Sequence, residues 1–340
     1  MGRLEEQISR GIQCLRRGGI IGFPTETVFG LGADAANANA IARIYEAKSR
    51  PREHPLILHL GELRDLERWV HEVPTSAESL ANKFWPGPLT MILKAEPNQG
   101  REFRGDNNSV AVRVPAHPVA QALIRGLGNG IVAPSANRFG RLSPTTAQHV
   151  SDELGEKIDM VIEGPTCPIG IESTIVDLTE KVPVILRPGH IDEKQISQAL
   201  GQEVLTVESK TNKAPGSYPV HYAPNTPLTV LYRDDMEKFL HNDANGISVA
   251  VLGRSKRPYF SSAAVWQVAP FSPAAYAQNL YGLLRRLDHS GCDLIAVEEP
   301  PHRMSWFAIH DRLKKSSIPK IALAEFIKSQ SRNNLNHDQI

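Results

Sequence analysis

Apolar residues Leu4, Ile8, Ile12 and Leu15 recur at helical spacing and stop at Gly18-Gly19. That pattern predicts a helix followed by a buried strand at Ile20-Ile21-Gly22-Phe23. A second helix is predicted over residues 40–48, with Ile41, Ile44 and Tyr45 on one side. It ends before Arg50-Pro51, because a residue preceding proline resists helical geometry. Short apolar runs predict strands at 56–60, 90–93, 109–114, 131–133, 160–163, 173–178 and 184–186. Helical patterns lie between them at 63–70, 77–84, 118–125, 146–154 and 193–200. Such a mixture predicts one large α/β unit over residues 1–200. From 201 to 227 the periodicity fades, and Lys213-Ala214-Pro215-Gly216-Ser217-Tyr218-Pro219 reads as an extended linker. Beyond it, strands at 228–232, 247–252, 264–268 and 294–297 alternate with helices at 235–240 and 273–287. Residues 228–340 are therefore predicted as a smaller, three-layered α/β domain with a mostly parallel sheet.

Charge narrows the choice of partners. The 38 Lys and Arg against 37 Asp and Glu in 340 residues leave +1, so any phosphate-binding surface has to be local. Cys14, Cys167 and Cys292 are more than a hundred residues apart, which excludes a disulfide framework and CxxC metal spacing and fits a reduced compartment. No stretch reaches the roughly 18 apolar residues of a membrane span, and acids replace the apolar run of a secretory peptide at the N-terminus. A cytoplasmic protein without a membrane partner is expected.

The motifs point to chemistry at strand ends. Gly30-Leu31-Gly32-Ala33-Asp34-Ala35 matches GxGxxA, but Asn37 and Asn39 delay the helix that a dinucleotide fingerprint should open. Paired glycines in a turn account for it without a ligand. Phe23-Pro24-Thr25-Glu26-Thr27-Val28-Phe29-Gly30 places two hydroxyls and a carboxylate directly after a strand, where open α/β sheets present ligand groups. Lys48-Ser49-Arg50-Pro51-Arg52 gathers three cations at a helix end, which a solvated face would also explain. Arg113 stands alone in the apolar strand Val110–Val114, where it either reaches solvent or clamps an anion. The stretch Ala133–Thr145 collects short hydroxyls and an asparagine that can cradle phosphate oxygens. Glu172-Ser173 and Arg187 repeat the theme of polar groups at strand ends. The chain has no GxxxxGK[ST] loop, GxSxG elbow or HExxH pair, so the motifs favour catalysis by positioning.

Taken in order, FPTETVFGLG, KSRP followed by PLILHL, FWPGPLT, VRVP, APSANRFGRLSPT, GIESTIVD and LRPG resemble the L-threonylcarbamoyladenylate synthase family. The likeness is to its long two-domain form with an N-terminal YrdC-type domain, and APGSYPVHYAP with Ala308–Leu313 extends it into the second domain. The resemblance implies an α/β fold: a large YrdC-like twisted mixed domain, a linker that folds over the active site, and a smaller Rossmann-like domain. It implies an enzyme that joins L-threonine, bicarbonate and ATP into threonylcarbamoyl-AMP and pyrophosphate, with Mg²⁺ accompanying ATP and no protein side chain as metal ligand. The product would serve a downstream tRNA threonylcarbamoyl transferase.

By the same resemblance, Lys48 and Arg50 are the catalytic cations on the triphosphate. His54, Ser109, Ser135, Asn137, Ser143 and Arg187 surround the nucleotide, joined by His221 and Tyr222 from the linker. Arg113 pairs with the threonine carboxylate, and Thr27, His59, Ala133 and Ser173 line the amino-acid pocket. His54 stands where many family members carry Asn, and Phe29 where Tyr is frequent. An RNA-binding or ribosome-maturation factor built on the same domain is the alternative, and a weak RNA contact stays open.

Overall fold

The computed structural model describes residues 2–206, 221–243, 246–259 and 261–318, which form two units. One comprises the chain through Phe139 and from Ser143 to the end of the larger sheet; the other comprises Gly140–Leu142 and the described chain from His221 onward.

The first unit begins with α1 (Arg3–Arg16), β1 (Ile21–Phe23), β2 (Gly30–Asp34), α2 (Ala38–Lys48) and β3 (Ile57–His59). It continues through α3 (Thr75–Phe84), β4 (Leu89–Lys94), α4 (Arg101–Arg104), β5 (Ser109–Arg113), α5 (Pro118–Leu127) and β6 (Ile131–Val132). It ends with α6 (Ala147–Leu154), β7 (Met160–Val161), β8 (Thr174–Asp177), β9 (Val184–Arg187), α7 (Glu193–Leu200) and β10 (Leu205–Thr206). The strands make one mixed sheet in the order β10-β9-β8-β4-β5-β3-β6-β2-β1-β7.

Side chains alternate across a sheet, and here the alternation separates core from site. Leu58, Met91, Leu93, Val110, Val112 and Val176 enter the main core, alongside Ile41 and Ile44 of α2. Their neighbours Ile57, Ile92, Ala111, Ile175 and Leu186 form a smaller apolar cluster on the other face. His59 and Arg113 follow Ile57 and Ala111 by two residues, so they sit at the end of this second face. The register pairs them directly across β3 and β5.

Three expectations need correction. Residues Gly30–Asp34 are neither a turn nor a dinucleotide loop but β2, paired antiparallel with β1 through Phe23↔Gly30 and Ile21↔Gly32. The reason is steric: a Cβ on Gly32 would come within 2.6 Å of Phe23 Cε1 and 2.9 Å of Ile131 Cγ2. The glycines let an aromatic ring lie over a strand. Leu205 and Thr206, within the stretch read as linker, pair with Val184 and Ile185 and extend the sheet. The segment predicted as a helix at 63–70 is a shorter 3₁₀ turn, Leu63–Arg68.

The second unit contains β11 (Leu228–Leu231), α8 (Arg233–Lys238), β12 (Val249–Gly253), β13 (Val265–Val268), α9 (Pro273–Asp288), β14 (Leu294–Glu298) and α10 (Phe307–Ser316). Its four strands are parallel, in the order β11-β14-β12-β13. Ser272 caps α9 by accepting the Ala275 N–H, and Pro273 occupies the first turn, where its missing N–H costs nothing. The proline-rich part of the linker, and with it residues 207–220 of the stretch expected as a lid, lies outside the described residues.

Candidate active site

Arg113 ends β5 almost wholly buried, and three of its nitrogens meet fixed acceptors. Nε donates to the Gly87 carbonyl at 3.1 Å, Nη1 donates to Thr27 Oγ1 at 3.0 Å, and Nη2 lies 2.6 Å from Glu26 Oε1. The acceptors come from the turn before β4 and from the connection between β1 and β2. That connection is itself held: Thr25 Oγ1 donates to the Val28 carbonyl at 2.6 Å and lies 2.9 Å from Thr27 Oγ1. Burial pushes the Glu26 carboxyl upward, but the charge and hydrogen bond of Arg113, with backbone N–H groups, hold it below its ordinary value. Beside them, burial and then the Arg113 charge push His59 down to about 3, against the opposing pull of Glu26. The imidazole is therefore neutral at physiological pH, next to a charged guanidinium–carboxylate pair.

The second cationic group lies at the C-terminus of α2. Lys48 is only 1% exposed, and its Nζ donates to the Ser135 carbonyl at 2.6 Å and the Asn137 carbonyl at 2.5 Å. Burial first, and then the nearby Arg50, hold its ammonium well below the usual lysine value. Ser49 closes the helix in the left-handed region at φ 52°. Arg50 then turns back, its Nη2 donating to the Pro55 carbonyl at 3.0 Å and its guanidinium lying 5.5 Å from the centre of the Phe139 ring. The His54 ring tilts against the same phenyl group at 5.1 Å. Lys48 thus fixes the backbone of the hydroxyl-rich loop rather than lying on a solvated face, whereas Arg52 of the same run is exposed.

Both groups are tied to the same segment. Thr27 touches Arg113, and two residues later the Phe29 N–H donates to the Pro144 carbonyl at 2.9 Å while its carbonyl accepts the Ala136 N–H at 2.9 Å. Gly30 then bridges to Ser135, whose carbonyl holds Lys48. Ala133 is anchored by its own N–H to the Ile57 carbonyl at 2.9 Å. Ser143, fully buried, donates to Glu172 Oε1 at 2.5 Å. Ser173 accepts Arg187 Nη2 on its hydroxyl and Arg187 Nε on its carbonyl, both at 3.0 Å, and its Oγ lies 2.8 Å from Thr90 Oγ1.

The other expected nucleotide contacts, Ser109, His221 and Tyr222, have these surroundings. Ser109 is on the same face of β5 as Arg113, but four residues along a strand span ~13 Å. It lines a separate cleft of about 700 Å³ with Lys94, Arg101, Arg104 and Thr179. His221 and Tyr222 belong to the second unit. There the His221 N–H donates to the Lys315 carbonyl at 3.0 Å, Ser316 Oγ donates to the Tyr222 carbonyl at 2.7 Å, and Arg312 stacks 5.2 Å from the Tyr222 ring centre. Two carboxylates that the sequence showed only as polar groups at strand ends are partners here. Glu26 sits between the two flagged threonines and Glu172 immediately before Ser173. The signal for both was a carboxylate inside an otherwise apolar or hydroxyl-bearing strand end.

Comparison with known proteins gives the family of the chain. Residues 13–189 match the Sua5, YciO and YrdC family model, described as telomere recombination, and residues 191–317 match the threonylcarbamoyl-AMP synthase C-terminal domain. The threonylcarbamoyl-AMP synthase of Pyrococcus abyssi is 38% identical over 93% of this chain and 95% of its own length. That of Bacillus subtilis is 36% identical over 92% and 93%. The crystal structure of P. abyssi Sua5 complexed with L-threonine superposes with a TM-score of 0.86 at 38% identity, covering 92% of this chain and 94% of that one. The residues that order the Arg113 and Lys48 groups thus sit in a chain that belongs to the Sua5/YciO/YrdC family, in the two-domain form of the threonylcarbamoyl-AMP synthases.

Proposed function

We infer that this chain is a threonylcarbamoyl-AMP synthase, a nucleotidyltransferase that makes threonylcarbamoyl-AMP and pyrophosphate from L-threonine, bicarbonate and ATP. The observation that carries the reading is the buried Arg113 group, an anion clamp tied through the segment at 27–30 to the loop that Lys48 holds. The likeness to relatives of that name over nearly the whole chain supports it.

Arg113 takes the threonine carboxylate with two parallel hydrogen bonds. Glu26 already contacts Nη2, so the incoming carboxylate competes with an internal one for that edge of the guanidinium. Thr27 and Gly87 keep the fork oriented throughout. His59, held neutral, adds no second positive charge where the amino group must lose its proton before it takes up bicarbonate carbon.

The amine and bicarbonate give a carbamate with loss of water. A carbamate oxygen then attacks the α-phosphorus of ATP, the bond to the β,γ-phosphates breaks, and pyrophosphate leaves. The carbamate is already a nucleophile, so the protein needs to orient it and neutralise charge. Lys48 and Arg50 with the loop at 133–145 supply that charge and the backbone around the nucleotide, and Arg187 orients Ser173. The product passes to an enzyme that threonylcarbamoylates tRNA.

Mg²⁺ enters as the counter-ion of ATP. Lys48 and Arg50 would repel the ion, and the carbonyls and Glu172 already accept from Lys48 and Ser143, so the ATP phosphates and not side chains would hold it. Bound to ATP, it would supply neutralisation of phosphate charge.

Purified protein tests the reading directly. Pyrophosphate release should require threonine, bicarbonate and Mg-ATP together. Release that continues without threonine, or salt-sensitive RNA binding with no adenylate product, overturns it.

A further inference from the structure

We propose that Glu299, His302 and His310 of the second unit form a binding site for one transition-metal dication of the zinc class. Among the described residues this is the one group of three or more His, Cys, Asp or Glu side chains whose donor atoms converge, all lying within 4.8 Å of one another.

The local chain explains the convergence. Glu298, the last residue of β14, turns back and accepts the Arg254 N–H at 2.7 Å. Glu299 is thereby left at the carboxyl end of a parallel strand, where open α/β sheets present ligand groups. Both residues between Glu299 and His302 are proline, which fixes their φ angles and limits the freedom lost when the two side chains are held together. His302 Nε2 lies 3.1 Å from a Glu299 oxygen. The third donor comes from α10, whose His310 ring stacks on His302 at 4.8 Å with 18° between the planes.

His310 also carries the outer contact expected of a metal ligand. Its Nε2 lies 3.2 Å from the Pro301 carbonyl, so an N–H donated there leaves the lone pair on Nδ1. Ligating histidines characteristically donate their other ring N–H in this manner.

Two imidazoles and one carboxylate suit Zn²⁺, Ni²⁺, Co²⁺ or Cu²⁺ and not the all-oxygen shells of Mg²⁺ or Ca²⁺. Ligand atoms on a tetrahedral zinc ion are about 3.3 Å apart. The His302 side chain is well exposed and closes the remaining distance by rotating, with water completing the shell. A metal here joins the loop after β14 to α10, the helix that holds the His221 and Tyr222 backbone.

The experiment is calorimetric titration of the full chain, stripped with chelator, with ZnCl₂ and separately with MgCl₂. One zinc per chain in the micromolar range is expected, with no heat from magnesium. H302A and H310A should each weaken zinc at least about tenfold and E299Q less, whereas H289A, an exposed histidine elsewhere in the unit, should not change it. Cu²⁺ electron paramagnetic resonance should show two imidazole nitrogens in the parent and one in H302A, while threonine-dependent pyrophosphate release stays the same. No saturable zinc binding, or equal binding by the parent and H302A, overturns the proposal. Because His302 is exposed, its variant remains informative even if H310A fails to fold.

Discussion

Arg113 and Lys48 are both buried cations, yet they are neutralised differently. Arg113 faces a carboxylate, Glu26, at 2.6 Å, and its remaining contacts are a hydroxyl and a carbonyl. Lys48 has two carbonyls and, among the described residues, no carboxylate in contact, and burial and then Arg50 destabilise its ammonium. Under the proposed function the first region exchanges one carboxylate for another. The second is built to receive negative charge, since an approaching phosphate supplies the counter-charge that burial withholds.

The largest effect should come from breaking the first pair. R113A leaves Glu26 buried without its counter-charge and should cost about 3–5 kcal/mol of stability in denaturant unfolding. R113A/E26Q should recover much of that loss while threonine binding stays lost. If the double variant is no more stable than R113A, Glu26 and Arg113 are not a coupled pair.

His59 sharpens the same region through pH. Its value in the fold, about 3, lies below the ordinary 6.5, so between those limits the unfolded chain binds a proton that the native site refuses. Stability is complete above pH 6.5 and drains on acidification. H59Q should flatten the fall in melting temperature between pH 6.5 and 4.5. The decline below 4.5 should persist, because the lowered Glu26 carboxyl loses its contribution only there. An unchanged profile in H59Q removes His59 from this account.

A smaller and shared effect belongs to β2, which follows directly on the segment that ties the two regions together. G32A forces a methyl against Phe23 and Ile131 and should cost about 1–3 kcal/mol. Because that strand serves both sides, the KM values for threonine and ATP should rise together. A rise in one alone means the regions are not linked through it.

Much of the fold could be read from the chain because its long elements carry clean periodicity: α2 and α9 were predicted to within about two residues. Elements that break the pattern could not. β2 contains two glycines, and its strand character depends on Phe23 lying over them, a tertiary fact. α10 carries a fully buried Arg312 within its apolar face, which hides the helical stripe. Of the site, Arg113 stood out as a lone charge in an apolar strand. Glu26 was visible as a carboxylate after a strand, but its pairing with Arg113, distant in sequence, is recognisable only once the fold brings the two together. Lys48 was visible as a cation, but its two carbonyl partners lie in a loop that no local pattern connects to α2.

The central claim is that each cation serves a different substrate, and steady-state pyrophosphate release with both substrates varied tests it. R113K should raise the KM for threonine at least about tenfold and leave that for ATP within twofold, because lysine cannot reproduce the guanidinium fork. K48A should do the reverse. Equal losses toward both substrates in both variants would contradict the division of labour on which the mechanism stands.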